Sequence, residues 1–162
     1  MGVIEKSITD EKKTKLCLVC SSGGHFYQVC LLEKWWSRYE RFWITFDKLD
    51  TRTFLEKERL YFGNFPENRN LPNAIRNLFL ALKILTKEKP EVIFSTGAGI
   101  APPFFLVGKI LGIKLIYLET ASYINTPTLT GRMVYHLTDV FLVQHQSSKK
   151  FYPKAIYRGA LI

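Results

Sequence analysis

The segment Ser21-Ser22-Gly23-Gly24-His25 is the first place where residue types and spacing suggest chemistry. It follows a strand-like run and opens a helical pattern, so its backbone N–H groups could face an anion at the positive end of a helix dipole. Gly23 and Gly24 carry no side chain and let a ligand approach closely. The alternative is an ordinary tight turn in which His25 caps or packs against the first helical turn. The segment is therefore a candidate phosphate-binding loop.

A second glycine segment, Ser95-Thr96-Gly97-Ala98-Gly99, follows the strand-like run Val92-Ile93-Phe94. Pro102 and Pro103 come shortly afterwards, where the first turn of a helix accepts proline. This segment is a second candidate anion site. It is not a complete dinucleotide fingerprint, because Gly-x-Gly is followed by Ile, Ala and Pro in place of a third glycine. We therefore expect no bound dinucleotide.

Glu119 and Thr120 end another strand-like run, 114–118. They place a carboxylate and a hydroxyl at the sheet edge where both glycine loops should lie. Two phosphate-type loops that flank an acidic group suggest a sugar diphosphate as ligand. An equally good interpretation is that Glu119 caps the loop that follows it or pairs with a lysine.

A zinc site is an alternative interpretation of the first loop. Cys17, Cys20, His25 and Cys30 have the spacing of a nucleic-acid-binding zinc knuckle, which would suit a basic protein. However, residues 15–20 have the pattern of a buried strand, in which residues three apart point to opposite faces and cannot chelate one ion. We therefore favour a protein that binds neither zinc nor nucleic acid.

The elements that must position these residues alternate along the chain between strand-like and helical patterns. Strands are expected at 16–20, 42–46, 92–95, 115–118 and 140–143, and weaker ones at 59–62 and 155–158. Helices are expected at 26–39, 73–87, 103–111 and 129–137. This order predicts an α/β fold with a parallel sheet and helices on both faces. Its ligand-binding loops should be 21–25, 47–50, 96–103 and 119–128, after the carboxyl ends of strands.

Composition narrows the function classes. The 162 residues carry 23 Lys and Arg against 14 Asp and Glu, and the formal charge of +9 favours an anionic partner. Residues 1–15 are expected to be a flexible basic lead-in without the apolar core of a signal peptide, which predicts a cytosolic protein with reduced cysteines. No Ser-His-Asp pattern, Walker loop or catalytic metal tetrad is present in the sequence.

The helix expected at 73–87 is a candidate membrane-facing element. Arg76, Lys83 and Lys87 fall on one stripe, opposite Ala74, Leu78, Leu82 and Leu85. A helix that covers the sheet is the favoured interpretation. The alternative is a helix on the membrane, with the basic stripe against acidic lipid headgroups.

Five segments, in this order, resemble a known family: Ser22-Gly23-Gly24-His25, Ser95-Thr96-Gly97-Ala98-Gly99, Tyr117-Leu118-Glu119-Thr120, the run from Leu129 to Gln144, and the run from Phe151 to Gly159. The family is the acceptor-side, membrane-recruiting subunit of the two-subunit N-acetylglucosaminyltransferase of dolichol-linked oligosaccharide synthesis, with its bacterial capsular and exopolysaccharide relatives. The resemblance covers about residues 15–162. It implies the Rossmann-like N-terminal half of a GT-B glycosyltransferase, as one domain at 16–162.

The resemblance also implies a reaction and its partners. A separate subunit would bind the UDP-sugar, and the sugar would pass to a polyprenyl-diphosphate-linked acceptor without a cofactor or catalytic metal. His25 is the first candidate for the general base and Glu119 the second. The residues expected at the acceptor diphosphate are Ser22, Gly23, Gly24, Thr96, Gly97, Gly99 and Thr120.

Location and role follow from the same resemblance. The chain should lie peripherally on the cytoplasmic face of an anionic membrane, which Arg76, Lys83 and Lys87 would contact. Residues 1–15 cannot supply the membrane helix usual in eukaryotic members, which favours a bacterial-type enzyme. Thr120-Ala121-Ser122 after Glu119 departs from the pattern of the related peptidoglycan-precursor transferase. A non-catalytic adaptor that recruits a complete partner enzyme is the runner-up function.

Overall fold

A computed structural model describes residues 14–66 and 70–161. The lead-in predicted for residues 1–15 falls almost wholly on 1–13, outside the described residues, and Lys15 already begins the first strand. In the described part of the chain, seven strands form one sheet in the order β3-β2-β1-β4-β5-β6-β7. The strands are β1 Lys15–Cys20, β2 Glu40–Thr45, β3 Leu60–Phe62, β4 Val92–Gly97, β5 Lys114–Leu118, β6 Val140–Val143 and β7 Ile156–Tyr157.

Every neighbouring pair of strands in this sheet is parallel. The strand order reverses between β1 and β4, which are hydrogen-bonded neighbours although β2 and β3 come between them in sequence. In open parallel sheets such a switch point opens a crevice at the carboxyl ends of the strands. The predicted α/β fold class is therefore confirmed.

Helices cover both faces of the sheet. Those in the described residues are α1 Gly24–Cys30, α2 Glu33–Trp36, α3 Leu49–Phe54, α4 Leu71–Glu88, α5 Ala101–Ile110 and α6 Leu129–Val134, with a 3-10 helix at Gln146–Lys150. One core cluster joins the sheet to α4, α5 and α6 through residues such as Ile84, Phe104 and Val134. The other joins the opposite face to α1 and α2 through Val29 and Trp36.

The helix predicted at 26–39 is two shorter helices, so this prediction is wrong in detail. The Trp36 indole N–H donates to the carbonyl of Val29 at 2.8 Å, and its ring packs edge-on against Trp43 at 5.2 Å. This return of the chain onto β2 breaks the helix between α1 and α2. Helix α3 was predicted as loop in its first residues. It is held by Thr51, whose hydroxyl donates to the carbonyl of Phe46 at 2.7 Å.

Helix α4 covers the sheet, as favoured, and of the residues predicted to pack inward Leu85 is buried and Leu78 is partly buried against the core, but the buried face is rotated from the predicted one. Its buried residues are Asn73, Asn77, Ala81, Ile84, Leu85 and Glu88. The Asn77 side-chain oxygen accepts the backbone N–H of Asn64 at 2.7 Å, so a polar contact, which hydrophobic spacing does not register, fixes the rotation of the helix. Leu82, predicted to pack inward, is 47% exposed.

Candidate functional site

The two glycine loops lie at the same edge of the sheet, as predicted, and two hydrogen bonds join them. His25 Nδ1 lies 2.8 Å from the carbonyl oxygen of Thr96, and the Thr96 hydroxyl donates to the carbonyl of His25 at 2.8 Å. The loops follow β1 and β4, the neighbouring strands at the switch point. The site is thus built where a parallel sheet opens its crevice.

The contact with Thr96 sets the tautomer of His25. A carbonyl oxygen only accepts hydrogen bonds, so Nδ1 must carry the proton and Nε2 of the neutral ring keeps its lone pair. Burial lowers the pKa of His25 below 6.5, and the Thr96 carbonyl and the negative charge of Glu119 oppose that shift. The neutral ring, with Nε2 able to accept a proton, is therefore the main form at neutral pH.

Gly97 is required where the loops meet. Its φ of 116° is unfavourable for other residues, and a Cβ there would lie 2.8 Å from Tyr117 Oη and 3.1 Å from His25 Cε1. Its N–H donates to the Ser95 hydroxyl at 3.0 Å, so this amide is already used within the protein. Gly97 therefore makes room in the site. Its contact with a diphosphate stays a prediction, and the geometry does not favour it, because the Gly97 N–H already donates to Ser95.

The remaining predicted diphosphate contacts differ in availability. The N–H of Gly23 donates to the carboxylate of Asp50 at 3.0 Å. Thr96 and Thr120 are buried, and the Thr120 hydroxyl accepts from Gln28 Nε2 at 3.0 Å. Gly24 is exposed and Ser22 half-buried. Within residues 14–66 and 70–161, no hydrogen bond uses the N–H of Ala98 or Gly99, so the second loop is the better candidate for an anion site.

Glu119 is enclosed and takes part in several hydrogen bonds. It is 2% exposed, and its carboxylate accepts the Thr128 hydroxyl at 2.9 Å, the Tyr152 hydroxyl at 2.7 Å and the N–H of Thr120 at 3.0 Å. Thr128 in turn caps α6, because its hydroxyl accepts the N–H of Gly131 at 2.8 Å. This geometry favours the interpretation that Glu119 stabilises the loop that follows it, rather than a role as base.

Two buried glutamines extend the site and were missed by the sequence analysis. Gln144 Nε2 donates to Gln28 Oε1 at 2.6 Å and to the carbonyl of Glu119 at 3.0 Å. Gln144 Oε1 accepts the N–H of Leu161 at 2.9 Å. The only signal in sequence was a polar Gln28 at a core position of a helical pattern. The pair links α1, β5, β6 and the segment around Leu161.

A large apolar groove opens beside the loops. It has a volume of about 1000 Å³ and runs between α4, α5 and α6. Its apolar wall is formed by residues that include Leu71, Ile75, Leu78, Leu106, Leu129 and Met133. Polar groups line it near the switch point, where His25, Gly99, Tyr117 and Thr128 lie. The arrangement suits a ligand with a long apolar part and a polar head.

The predicted membrane surface lies on the outer side of α4. Arg76, Lys83 and Lys87 are exposed, and so are Leu71, Ile75, Phe79 and Leu82. The basic side chains therefore border apolar ones that the sheet does not cover. None of the helices in the described part of the chain is long and apolar enough to cross a membrane.

The cysteines do not form the zinc knuckle considered above. Cys17 belongs to the core cluster under α4 and α5, and Cys20 to the cluster on the opposite face. Burial raises the pKa of the Cys17 thiol well above its ordinary value and that of Cys30 to about 11, so both thiols stay protonated. Among residues 14–66 and 70–161, no three His, Cys, Asp or Glu side chains are grouped as metal ligands.

The sheet order and the loops at the switch point define a Rossmann-like domain similar to one half of a GT-B enzyme. The solved structure of MurG from Acinetobacter baumannii shares this fold, with a TM-score of 0.74 over 91% of this chain and 45% of that one, at 15% identity. A sequence model described as "Oligosaccharide biosynthesis protein Alg14 like" matches residues 68–161. The chain belongs to this Alg14-like family.

Individual relatives agree with that assignment. The UDP-N-acetylglucosamine transferase subunit ALG14 of Homo sapiens is 27% identical over 119 residues, which cover 64% of this chain and 55% of the relative. The UDP-N-acetylglucosamine--N-acetylmuramyl-(pentapeptide) pyrophosphoryl-undecaprenol N-acetylglucosamine transferase of Caldicellulosiruptor saccharolyticus is 33% identical over 72 residues, 44% of this chain and 19% of that protein. The chain thus spans about half the length of its human relative.

Proposed function

We propose that this chain is the acceptor-binding, membrane-recruiting subunit of a heteromeric glycosyltransferase. It binds a polyprenyl-diphosphate-linked sugar at the cytoplasmic face of a membrane, and a partner subunit supplies the UDP-sugar. The observation that carries the proposal is the apolar groove that ends beside His25 and the second glycine loop. The names of two relatives support it, since one is a transferase subunit and the other contains pyrophosphoryl-undecaprenol.

The groove and the loops divide the recognition of the acceptor. The isoprenoid chain packs against the side chains of α4, α5 and α6, where burial of apolar surface stabilises it. The diphosphate lies at the N–H groups of Ala98 and Gly99, beside the exposed Gly24. Because Pro102 and Pro103 lack N–H groups, the first turn of α5 adds few donors, and the loop itself carries the contact.

His25 performs the acid–base part of the transfer. Its Nε2 accepts the proton of the acceptor hydroxyl as that oxygen attacks the sugar carbon of the donor. Thr96 holds the ring in the tautomer that leaves Nε2 unprotonated. The partner subunit binds the UDP-sugar and stabilises the nucleoside diphosphate that leaves from it. Glu119 keeps the loop at 119–128 in place through Thr128 and Tyr152.

Attachment to the membrane uses the outer side of α4. Its basic residues attract anionic headgroups, and the bordering apolar side chains enter the interface. The groove mouth is lined by residues of the same helix, such as Leu71 and Ile75, so a membrane-bound chain would present the groove to lipid-linked substrates.

Purification of the tagged chain from its native host tests the proposal. A glycosyltransferase-like protein that supplies the nucleotide-sugar site should copurify, and the pair should transfer sugar from UDP-N-acetylglucosamine, the first donor to try, to a polyprenyl-diphosphate-linked sugar. A partner that transfers sugar equally well without this chain would favour the adaptor function. Transfer to acceptors that lack the diphosphate would contradict the proposed acceptor class.

A further inference from the structure

Tyr117 carries a buried hydroxyl that nothing in the described part of the chain satisfies. Its side chain is fully buried, and Oη is one of three buried side-chain atoms there without a hydrogen-bond partner. The others, Arg41 Nε and Thr45 Oγ1, belong to residues that do not line the groove, whereas Tyr117 does. A buried polar group without a partner destabilises a protein. Its presence in a binding groove is explained if a ligand supplies the missing partner.

The neighbouring hydroxyls are engaged elsewhere. Thr128 Oγ1 donates to the Glu119 carboxylate at 2.9 Å and accepts the N–H of Gly131 at 2.8 Å. Tyr152 Oη donates to the same carboxylate at 2.7 Å. These bonds complete a cluster around Glu119 from which Tyr117, two residues earlier on β5, is left out. The Tyr117 O–H is therefore still free to donate a hydrogen bond to another acceptor.

Tyr117 Oη lies beside the candidate base. A Cβ built on Gly97 would be 2.8 Å from Oη and 3.1 Å from His25 Cε1, so both groups border the α-carbon of Gly97. Burial raises the pKa of Tyr117 well above its ordinary value, and the charge of Glu119 raises it further. Thr128 Oγ1 lies close enough to oppose this shift, but the two hydroxyls do not have hydrogen-bond geometry and Oη stays without a partner. The phenol is therefore a hydrogen-bond donor at neutral pH.

A ligand oxygen reaches this donor only after a small displacement of a neighbour, because Oη has essentially no surface open to water. The glycine loop is the neighbour best suited to move. Gly97 in that loop lies against Oη, and Ala98 beside it has a φ of 68°, a left-handed conformation that is unfavourable for alanine; such strained residues cluster at functional sites.

We propose that the Tyr117 hydroxyl donates a hydrogen bond to a diphosphate oxygen of the acceptor when the acceptor occupies the groove. This inference rests on the proposed function and adds a substrate-binding residue to it. The apolar wall then binds the isoprenoid chain, and Tyr117 and the second glycine loop bind the diphosphate. Ligand binding supplies the partner that Tyr117 lacks in the free protein.

The test is a titration of the full chain with geranyl diphosphate, a soluble two-isoprene probe, with geraniol and inorganic pyrophosphate as separate arms. Tyr117→Phe should weaken geranyl diphosphate binding by about tenfold or more, because hydrogen bonds to charged groups are among the stronger ones. Geraniol binding should not change. Tyr157→Phe, at an exposed tyrosine on β7, is the matched control and should bind as the unchanged protein does.

Denaturant unfolding without ligand separates a binding role from a structural one. Tyr117→Phe should unfold at the same or a higher denaturant concentration, because it removes an unsatisfied group. Tyr152→Phe, which deletes a hydroxyl bonded to Glu119, should unfold at a lower concentration. Unchanged geranyl diphosphate affinity of Tyr117→Phe, or destabilisation like that of Tyr152→Phe, would overturn the inference alone. Failure of the unchanged chain to bind geranyl diphosphate would overturn the proposed acceptor as well.

Discussion

His25 and Thr96 hold each other through two hydrogen bonds of 2.8 Å, one from a ring nitrogen to a backbone carbonyl and one from a hydroxyl to a backbone carbonyl. The two residues are 71 positions apart in sequence. His25 lies in the first turn of α1, just after β1, and Thr96 lies near the end of the neighbouring strand β4. This pairing fixes the distance between the glycine loops. It also explains why His25 has a defined tautomer although it lies beside an open groove.

Replacement of His25 should affect chemistry more than assembly. In the reconstituted pair, His25→Ala should lower turnover by about a hundredfold to ten-thousandfold, the usual effect of losing a positioned general base. Partner binding, measured by copurification, should persist. The control is His136→Ala, at an exposed histidine just after α6 that does not line the groove. Near-normal turnover of His25→Ala would show that the base lies in the partner.

The depressed pKa of His25 predicts a pH dependence of stability. In the unfolded chain the ring titrates near 6.5, and in the folded chain at a lower pH. Between these values the unfolded state binds more protons, so the free energy of unfolding falls as the pH drops below about 6.5. His25→Gln should flatten this part of the profile. Denaturant unfolding between about pH 5 and pH 7.5 measures it, and an unchanged slope would contradict the assignment.

Glu119 should matter for stability and not as a base. Glu119→Ala leaves the Thr128 and Tyr152 hydroxyls without their acceptor and should lower the free energy of unfolding by roughly 2–4 kcal/mol. Glu119→Gln, which keeps one carbonyl oxygen, should have a smaller effect. If His25 is the base as proposed, the pH profile of turnover should keep its acidic limb in Glu119→Gln and shift it to lower pH, because the charge of Glu119 raises the pKa of His25.

A double-mutant cycle tests the contact with Tyr152. Glu119→Gln and Tyr152→Phe should be non-additive, with a coupling of about 0.5–3 kcal/mol, as expected for groups in direct contact. Additive effects would show that the carboxylate and the phenol act independently.

Membrane binding should depend on the basic residues of α4. Arg76, Lys83 and Lys87 replaced together by Gln should weaken binding to anionic vesicles, and the remaining binding should be less sensitive to salt. Sedimentation with vesicles measures this. Replacement of Lys34, Lys57 and Lys154 by Gln is the matched control, since it changes the charge equally outside α4. Equal losses in both variants would mean that net charge alone drives binding.

The sequence predicted the sheet well because strand periodicity and glycine loops are local signals. These signals also predicted that His25, Gly97 and Gly99 lie together at the carboxyl edge of the sheet. The break between α1 and α2 did not, because it depends on Trp36 folding back onto Val29. The rotation of α4 depends on Asn77 and Asn64, a polar contact across a loop. Hydrophobic spacing therefore assigned Leu82 to the wrong side.

The hydrogen-bond partners of Glu119 could not be predicted from the sequence either. Its partners Thr128 and Tyr152 are 9 and 33 residues away, and the Gln28–Gln144 contact spans 116 residues. Such contacts arise only when strand ends converge, so residue spacing left the role of Glu119 open. For the same reason the apolar strand pattern around Tyr117 could not predict that its hydroxyl has no hydrogen-bond partner.

The last prediction follows from the proposal that two chains share the reaction. Residues 14–66 and 70–161 form one sheet, whose groove and two loops suit the proposed acceptor, and no site for a nucleotide-sugar is assigned among them. The purified chain should therefore show no transfer from UDP-N-acetylglucosamine, and its cognate partner should restore it. The acceptor should bind this chain alone, while binding of the UDP-sugar should need the partner. Calorimetric titration of each component with each substrate checks both statements. Tight UDP-sugar binding or robust transfer by this chain alone would contradict the two-chain proposal.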